Sequence, residues 1–289
     1  MSLKKAVILS NHFRSFEYIS DYLVEFFGPN TDYYICAWDD EGGYINGTKY
    51  PSLIDNRYRY SKEYYSKTDK TYLETAIKNF DPVNYKIINN KLLYKLLDDV
   101  DFPINKFESK HFIDYTIGGF LPPYICSKMI SESKIKYDII IKARLDIIPI
   151  APPKFNFEKH LNDLSSSSKD RILYTSRFLD EKNTSTLVKG VPYIQDEFFY
   201  GKAESILSFY KDIFLKIKKL YGISFLEKKL NRPKINGLLF SFTESSVNHS
   251  PLKWEVIRKD YVDSNSNLKD LASFKKIDKI WQSGKITNL

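Results

Sequence analysis

Apolar residues in the first forty positions follow two alternating spacings, one typical of strands and one typical of helices. Residues 6–10 form a short, mostly apolar run that ends at a polar break. Apolar residues then recur at helical spacing over residues 16–26, and Gly28-Pro29 supplies a stop signal. Residues 32–38 are aromatic and β-branched and end at an acidic loop with two glycines, which is typical of a second strand. This order predicts parallel strands flanked by helices.

The mid-chain segment YDIIIKARLDIIP, residues 137–149, has the composition of a buried strand but carries charges at alternate positions. It predicts one strand on which Lys142, Arg144 and Asp146 share a face. Asp146 then lies near the C-terminal end of the strand, where ligands bind in open α/β sheets. A simpler interpretation is an ion pair between Arg144 and Asp146 that closes a sheet edge.

The C-terminal half repeats strand and helix patterns. Residues 172–178 predict a strand, and residues 191–214 predict an apolar stretch, the polar Gln195-Asp196-Glu197 and then a helix from about Glu204. Basic helical patterns cover residues 213–230 and 267–281. Such helices can lie on an anionic membrane surface, although packing on the protein's own sheet is the commoner arrangement.

The middle of the N-terminal half is harder to interpret. The pattern over residues 48–107 is too weak to assign, and residues 108–136 predict helix with breaks near Gly118-Gly119 and Pro122-Pro123. No Pro/Gly/Ser linker divides the chain, so the sequence predicts one α/β domain over residues 1–289.

Composition excludes several classes of protein. The 289 residues are 43% hydrophobic and 28% charged, which is ordinary for a globular chain. Two cysteines are too few for a disulfide framework or a four-thiolate zinc site, and they favour the reducing cytoplasm. The apolar run near the N-terminus is too short for a signal peptide or a membrane span.

The net charge of +8 raises the question of nucleic-acid binding. Lys, Ile, Asn, Tyr and Phe are all abundant, as an AT-rich coding sequence produces, and the lysines are scattered over many segments. We therefore expect no nucleic-acid partner, although an enzyme with an anionic substrate would also suit this charge.

The order of these segments resembles that of bacterial and viral sugar-nucleotide glycosyltransferases with the GT-A fold, the group associated with lipopolysaccharide and capsule synthesis. The resemblance rests on ILSNHFRSFE, DYYICAW, YDIIIKARLDIIP, IQDEFFYGKAESI and FTESSVNHSPLKWEVIRKDY. It implies a Rossmann-like, mostly parallel sheet flanked by helices. Residues 1–150 would bind the nucleotide sugar, and residues 151–289 would form the acceptor side and the C-terminal helices.

The implied activity is transfer of a sugar from a nucleoside-diphosphate sugar to a polysaccharide or lipopolysaccharide-type glycan. A hexosyltransferase of this kind would work in the cytoplasm, or at the inner face of a membrane with which it associates peripherally.

The resemblance also assigns the donor site. The usual signature of the GT-A fold is Asp-x-Asp, which holds a divalent metal on the donor diphosphate; Arg144-Leu145-Asp146 stands at that place here, as in the group of relatives that this chain resembles. Asp146 would contact the metal or the ribose, and Mn²⁺ or Mg²⁺ is the expected cofactor. One carboxylate fewer weakens the binding of such a cation. Arg144 can offset this loss by a bidentate contact to phosphate.

Four further residues are candidates for the donor or the metal. Arg14, in the loop after the first strand, would contact the diphosphate, unless it is an exposed residue at a helix start. Asp39, directly after the second strand, would face the nucleotide pocket, unless its acidic loop is merely solvated. Lys253 would bind diphosphate and His249 would complete a metal site, although the histidine spacing does not fit a dedicated zinc site.

The acceptor side needs a carboxylate near the attacking hydroxyl. Asp196 is the candidate general base, with Glu197 in reserve, because relatives carry an acidic residue at this position. The alternative for Asp196 is a helix N-cap. Glu244 matches a glutamate of the same relatives that could orient the acceptor.

Three other functions compete with this interpretation. A nucleotidyltransferase would carry a glycine-rich basic loop after its first strand, and SNHFRSFE contains no glycine. A non-catalytic basic binding protein would need clustered cations and a steep salt dependence. A catalytically inactive relative is the third alternative, since the Asp-x-Asp signature is incomplete.

Overall fold

Eight strands form one mixed sheet in the part of the chain that the structure, a computed structural model, describes. The described residues are 3–13, 16–39, 70–104, 113, 117–168, 172–178, 197–221, 235–236, 239 and 246–256. The strands are β1 (Lys5–Asn11), β2 (Thr31–Trp38), β3 (Asn84–Ile88), β4 (Ile139–Arg144), β5 (Ile147–Ile150), β6 (Ile172–Phe178), β7 (Phe198–Lys202) and β8 (Ser246–Val256). Their order across the sheet is β3-β2-β1-β4-β7-β6-β8-β5.

The first four strands of this order run parallel to one another. β1 and β4 are buried along their whole length, as expected for strands covered by helices on both faces. β3 is the outermost of the four and alternates between exposed and partly buried positions. The sequence therefore predicted the α/β class and the parallel arrangement of β1 and β2 correctly.

In the second half of the sheet, neighbouring strands pair in both parallel and antiparallel orientation. β7 is antiparallel to β4 and to β6, β8 is parallel to β6, and β5 is antiparallel to β8. Four of the seven pairings among the described strands are parallel, which confirms a mostly parallel sheet. One sheet thus carries strands from both residues 1–150 and residues 151–289.

The prediction of one continuous strand over residues 137–149 is wrong. β4 ends at Arg144, Leu145 and Asp146 form a turn, and the chain continues as β5. The Leu145 amide donates to the Ser10 carbonyl at 3.1 Å and the Arg144 amide donates to the Glu197 carbonyl at 3.0 Å, which ties the end of β4 to both neighbours. β5 then pairs with β8 instead of extending β4, so Asp146 does not share a strand face with Lys142 and Arg144.

Helices cover both faces of the sheet. The described helices are α1 (Phe16–Phe27), α2 (Lys70–Asn79), α3 (Asn90–Asp99), α4 (Leu121–Glu132), α5 (Phe157–Ser165), α6 (Ala203–Tyr210) and α7 (Ile213–Tyr221), and a 3₁₀ turn (Gly118–Phe120) leads into α4. Apolar residues of α3, α4, α6 and α7 pack with one face of the sheet. Those of α1, α2 and α5 pack with the other face. None of the described helices has both the length and the apolar composition needed to cross a membrane.

The structure changes the bounds of several predicted helices. Pro122 and Pro123 stand in the first turn of α4 and begin the helix, because proline is tolerated where a helix amide has no partner anyway. The unassigned stretch contains α2, β3 and α3. α7 covers the start of the predicted 213–230 helix, whereas residues 222–230 and the predicted 267–281 helix lie outside the described residues.

Candidate functional site at the carboxyl ends of β1 and β4

The strand order reverses between β1 and β4. From β1 the chain moves outward to β2 and β3 on one side, and β4 lies on the other side. Ser10 of β1 pairs with Arg144 of β4, so the two strands end together. In open α/β sheets the crevice outside the carboxyl ends of the strands at such a reversal is where ligands bind. We call this edge the switch-point site and define it by Ser10, Asn11, Arg144, Asp146 and Glu197.

The end of β1 carries two features that cost stability. Asn11 has a backbone φ of 105°, a left-handed value that is uncommon for residues other than glycine. The Ser10 hydroxyl is buried and has no hydrogen-bond partner among the described residues. Strained backbone and unsatisfied buried polar groups persist mainly where function requires them, which favours a functional role for this edge.

Arg144 forms a two-point ion pair with Asp146. Its Nε donates to Oδ1 at 2.8 Å and its Nη2 donates to Oδ2 at 2.7 Å. Asp146 is 1% exposed and Arg144 is 8% exposed. This fork geometry is the strongest form of a charge-assisted hydrogen bond between side chains.

Glu197 holds the same guanidinium from the other side. It directly precedes β7, and its Oε1 lies 3.6 Å from Nη1 of Arg144. Its carbonyl also accepts the Arg144 amide. The arginine is therefore fixed by two carboxylates that come from two different strand ends.

A second buried cation lies deeper in the sheet. Lys142 is 3% exposed, and its Nζ lies 5.7 Å from the centroid of the Phe199 ring on β7. Because side chains alternate along a strand, Lys142 and Arg144 share one face of β4. The site thus combines two cations with two carboxylates in a largely buried setting, where charges interact more strongly than in water.

Aromatic rings border the site on the β2 side. His12 follows β1, and its ring stacks on Trp38, the last residue of β2, with centroids 6.1 Å apart. Asp39 comes next, half-buried, with its amide bonded to the Ile88 carbonyl at 2.8 Å. The structure therefore places Asp39, after β2, at the same sheet edge as Asp146, after β4, with β1 between the two strands.

Both cysteines are buried behind the site, and Cys126 has the environment of an inert thiol. Cys36 pairs with Ser10 across β1 and β2, and the Cys126 thiol donates to the Tyr34 carbonyl at 3.5 Å. Burial, together with a hydrogen bond to Cys36, raises the pKa of the Cys126 thiol well above its ordinary value. A thiol that stays protonated is a poor nucleophile.

Some predicted site residues fall outside the described residues. These are Arg14, Asp196 and Glu244, together with the side chains of His249 and Lys253. The backbones of the last two belong to β8, where His249 pairs with Thr175 and Lys253 pairs with Ile150. Their roles stay predictions.

Asp196 is not the N-cap of α6, the helix that follows it in the structure. That helix begins only at Ala203, and its N-cap position is Lys202. A strand, β7, lies between the acidic segment and the helix.

The described residues do not by themselves fit a divalent cation. Both oxygens of Asp146 accept hydrogen bonds from Arg144. Among the described residues no three His, Cys, Asp or Glu side chains gather in a way that could hold a metal ion. Further ligands would have to come from segments beyond the described ones.

Ser10, Asn11, His12 and Trp38 were not predicted as site residues. The available signal was the polar pair Ser10-Asn11 directly after a buried apolar run, with an aromatic residue ending the next strand. Strand ends alone do not show which neighbours they meet, so the pattern could not identify the site.

Comparison with known proteins gives weak similarity only. No protein-family model matches the sequence, and the search of curated proteins gave no match either. Among solved structures, the apo form of mouse xyloside xylosyltransferase 1 is similar over 86% of this chain and 85% of that chain, with 8% identity and a TM-score of 0.42. The glycosyltransferase GlyE of Streptococcus pneumoniae is similar over 98% of this chain and about half (52%) of that chain, with 11% identity and a TM-score of 0.39.

Proposed function

We propose that this chain is a glycosyltransferase that moves a sugar, of the hexose type, from a nucleoside-diphosphate sugar to a polysaccharide or lipopolysaccharide-type glycan. The observation that carries the proposal is the buried Arg144, held between Asp146 and Glu197 at the point where the strand order reverses. The strained end of β1 beside it supports a ligand site at this edge.

The chemistry of sugar transfer suits such a site. Breaking the bond between the sugar and the diphosphate leaves negative charge on the diphosphate and positive charge on the sugar. Catalysis then requires cations aimed at phosphate and a carboxylate near the acceptor hydroxyl. Arg144 provides a cation of the right shape for phosphate, and Glu197 provides a carboxylate less than 4 Å from it.

The remaining candidates extend this assignment. We assign Arg14 and Lys253 to the diphosphate, and Asp39 to the nucleotide pocket. The His12 ring is partly exposed and stacks on the buried Trp38, and we propose it as the ring against which a nucleobase packs.

On the acceptor side we propose Asp196 or Glu197 as general base, with Glu244 orienting the acceptor. A divalent cation, if bound, would need ligands such as Asp196 or His249 in addition to Asp146. Its chemistry would be to neutralise the leaving diphosphate. We propose a cytoplasmic enzyme that works at the inner face of a membrane where its glycan is made.

The test is a thermal-shift panel of nucleotides and sugar nucleotides, with nucleoside monophosphates and inorganic phosphate as controls. A ligand that binds only the folded chain raises its melting temperature. We expect nucleoside diphosphates of one base to stabilise the protein more than their monophosphates do, and the matching sugar nucleotide to be hydrolysed or transferred. Failure of every diphosphate and every sugar nucleotide to act would contradict the proposal.

A further inference from the structure

We infer that the switch-point site binds the donor diphosphate through Arg144 without a divalent cation, and that Asp146 is a positioning residue for the guanidinium instead of a metal ligand. This inference rests on the proposed function. It reverses the roles expected from the sequence, in which Asp146 held the metal and Arg144 assisted.

The first argument is that the oxygens of Asp146 are already engaged. Oδ1 accepts from Nε at 2.8 Å and Oδ2 accepts from Nη2 at 2.7 Å of the same arginine. A metal ion at either oxygen would have to share it with this donor. Mg²⁺ in particular demands near-ideal geometry and several anionic or water oxygens around it.

The second argument is electrostatic. The guanidinium of Arg144 stays protonated at any physiological pH, so a cation at Asp146 would sit beside a permanent positive charge. Lys142 adds another buried cation on the same face of β4. Hard cations depend on a surplus of anionic oxygens, and among the described residues of the site the carboxylates Asp146 and Glu197 only match the two cations in number.

The third argument is that Arg144 is held in place before any ligand arrives. Asp146 engages two of its nitrogens, Glu197 lies 3.6 Å from the third, and the Arg144 amide is bonded to the Glu197 carbonyl. A fixed guanidinium does not need to be ordered by the ligand, which lowers the entropic cost of binding. The guanidinium carries five N–H donors in one plane, of which the two bonds to Asp146 use two, and this planar arrangement suits phosphate oxygens better than an ammonium group does.

The experiment is calorimetric titration of the full chain with a nucleoside diphosphate, in EDTA and again in Mn²⁺. The diphosphate is the one that gives the largest shift in the nucleotide panel. We expect binding in EDTA to be as tight as in Mn²⁺ or tighter, because Mn²⁺ competes for the diphosphate oxygens that Arg144 would contact. Arg144→Lys keeps the charge but loses the fork, and should weaken binding by about tenfold or more in both buffers. Asp146→Asn should weaken it several-fold, again equally in both.

Matched controls separate this role from a structural one. Lys159→Ala removes an exposed lysine on α5 and should leave the dissociation constant unchanged. Melting temperatures identify any variant that fails to fold. For such a variant the wild-type protein provides a second measurement, electron paramagnetic resonance of free Mn²⁺, whose signal with nucleotide should not fall further when protein is added.

The outcomes distinguish the inference from the proposed function. Binding that appears only in Mn²⁺, or loss of the free Mn²⁺ signal on adding protein, overturns the inference and leaves the proposed function standing. No binding of any nucleoside diphosphate in either buffer overturns the proposed function itself. Binding in EDTA that is as tight as in Mn²⁺ or tighter, and that Arg144→Lys weakens in both buffers, supports the inference.

Discussion

At the residue scale, several positively charged side chains are buried among the described residues, and each needs partners that compensate for its burial. Lys5, Lys142 and Arg144 are all nearly inaccessible to solvent, and buried lysine and arginine are rare unless paired. Lys5 has a clear structural reason, since its ammonium bonds to the Phe27 carbonyl at the end of α1 and to Glu158 of α5. The described partners of Arg144 include the carboxylates of Asp146 and Glu197 at strand ends, and its place at the ends of β1 and β4 is why we assign it to function.

His160 should make folding stability depend on pH. Its Nε2 lies 3.0 Å from the Tyr200 hydroxyl, which in turn lies 2.8 Å from the Ser250 hydroxyl. Burial lowers the pKa of His160 below its ordinary value of 6.5, and Asp163 opposes the shift only in part. The unfolded chain therefore binds a proton more readily than the folded chain does.

The stability that neutral His160 contributes should be complete above pH 6.5. It should be lost as the pH falls from 6.5 through the folded-state pKa of His160. One group can change the free energy of unfolding by at most about 1.4 kcal/mol per pH unit. Urea denaturation at pH 7.5 and 5.5 measures the loss, and His160→Gln should reduce it. An equal loss in wild type and variant would show that other groups cause it.

At the element scale, ion pairs to buried partners matter more than exposed ones. Glu158 of α5 is 52% exposed, but its partner Lys5 is fully buried in β1. Removing the carboxylate leaves a buried ammonium with less compensation. Lys159 and Asp163 form a pair on the same helix in which both partners are exposed.

Glu158→Ala should therefore lower the free energy of unfolding by about 2 kcal/mol. The matched Asp163→Ala should cost about 0.3 kcal/mol, as exposed helical pairs do. Chemical denaturation of both variants at neutral pH provides the comparison. Equal losses of unfolding free energy in the two variants would show that Lys5 has other compensating partners. The ion pair between Lys5 and Glu158 would then not anchor α5.

Strand and helix patterns predicted those elements whose boundaries are marked locally. β1, α1, β2 and β6 lie within a few residues of their predicted positions, because apolar runs there end at polar or glycine-containing breaks. The turn at Leu145-Asp146 was missed, since an apolar run continues through it without glycine or proline. The turn is held by backbone hydrogen bonds to Ser10 and Glu197. Both residues are distant in sequence, so the local pattern of apolar residues carries no sign of these bonds.

At the scale of the whole molecule, the sequence predicted individual site residues but not how they come together. Arg144, Asp146 and Glu197 were each predicted from the sequence, but their meeting depends on the antiparallel pairing of β4 with β7. These strands are separated in sequence by more than fifty residues, so no local motif brings them together. The strain at Asn11 is a property of the backbone and has no counterpart in composition.

Hydrogen–deuterium exchange with and without a saturating nucleoside diphosphate tests the central claim, that the carboxyl ends of β1 and β4 form the donor site. Peptides that cover residues 9–16 and 143–148 should exchange more slowly when the nucleotide is bound, because a bound ligand restricts opening of the backbone it contacts. A peptide from α5 should not change. Protection that spares both strand ends and falls elsewhere, for example only along β5 and β8, would contradict the account.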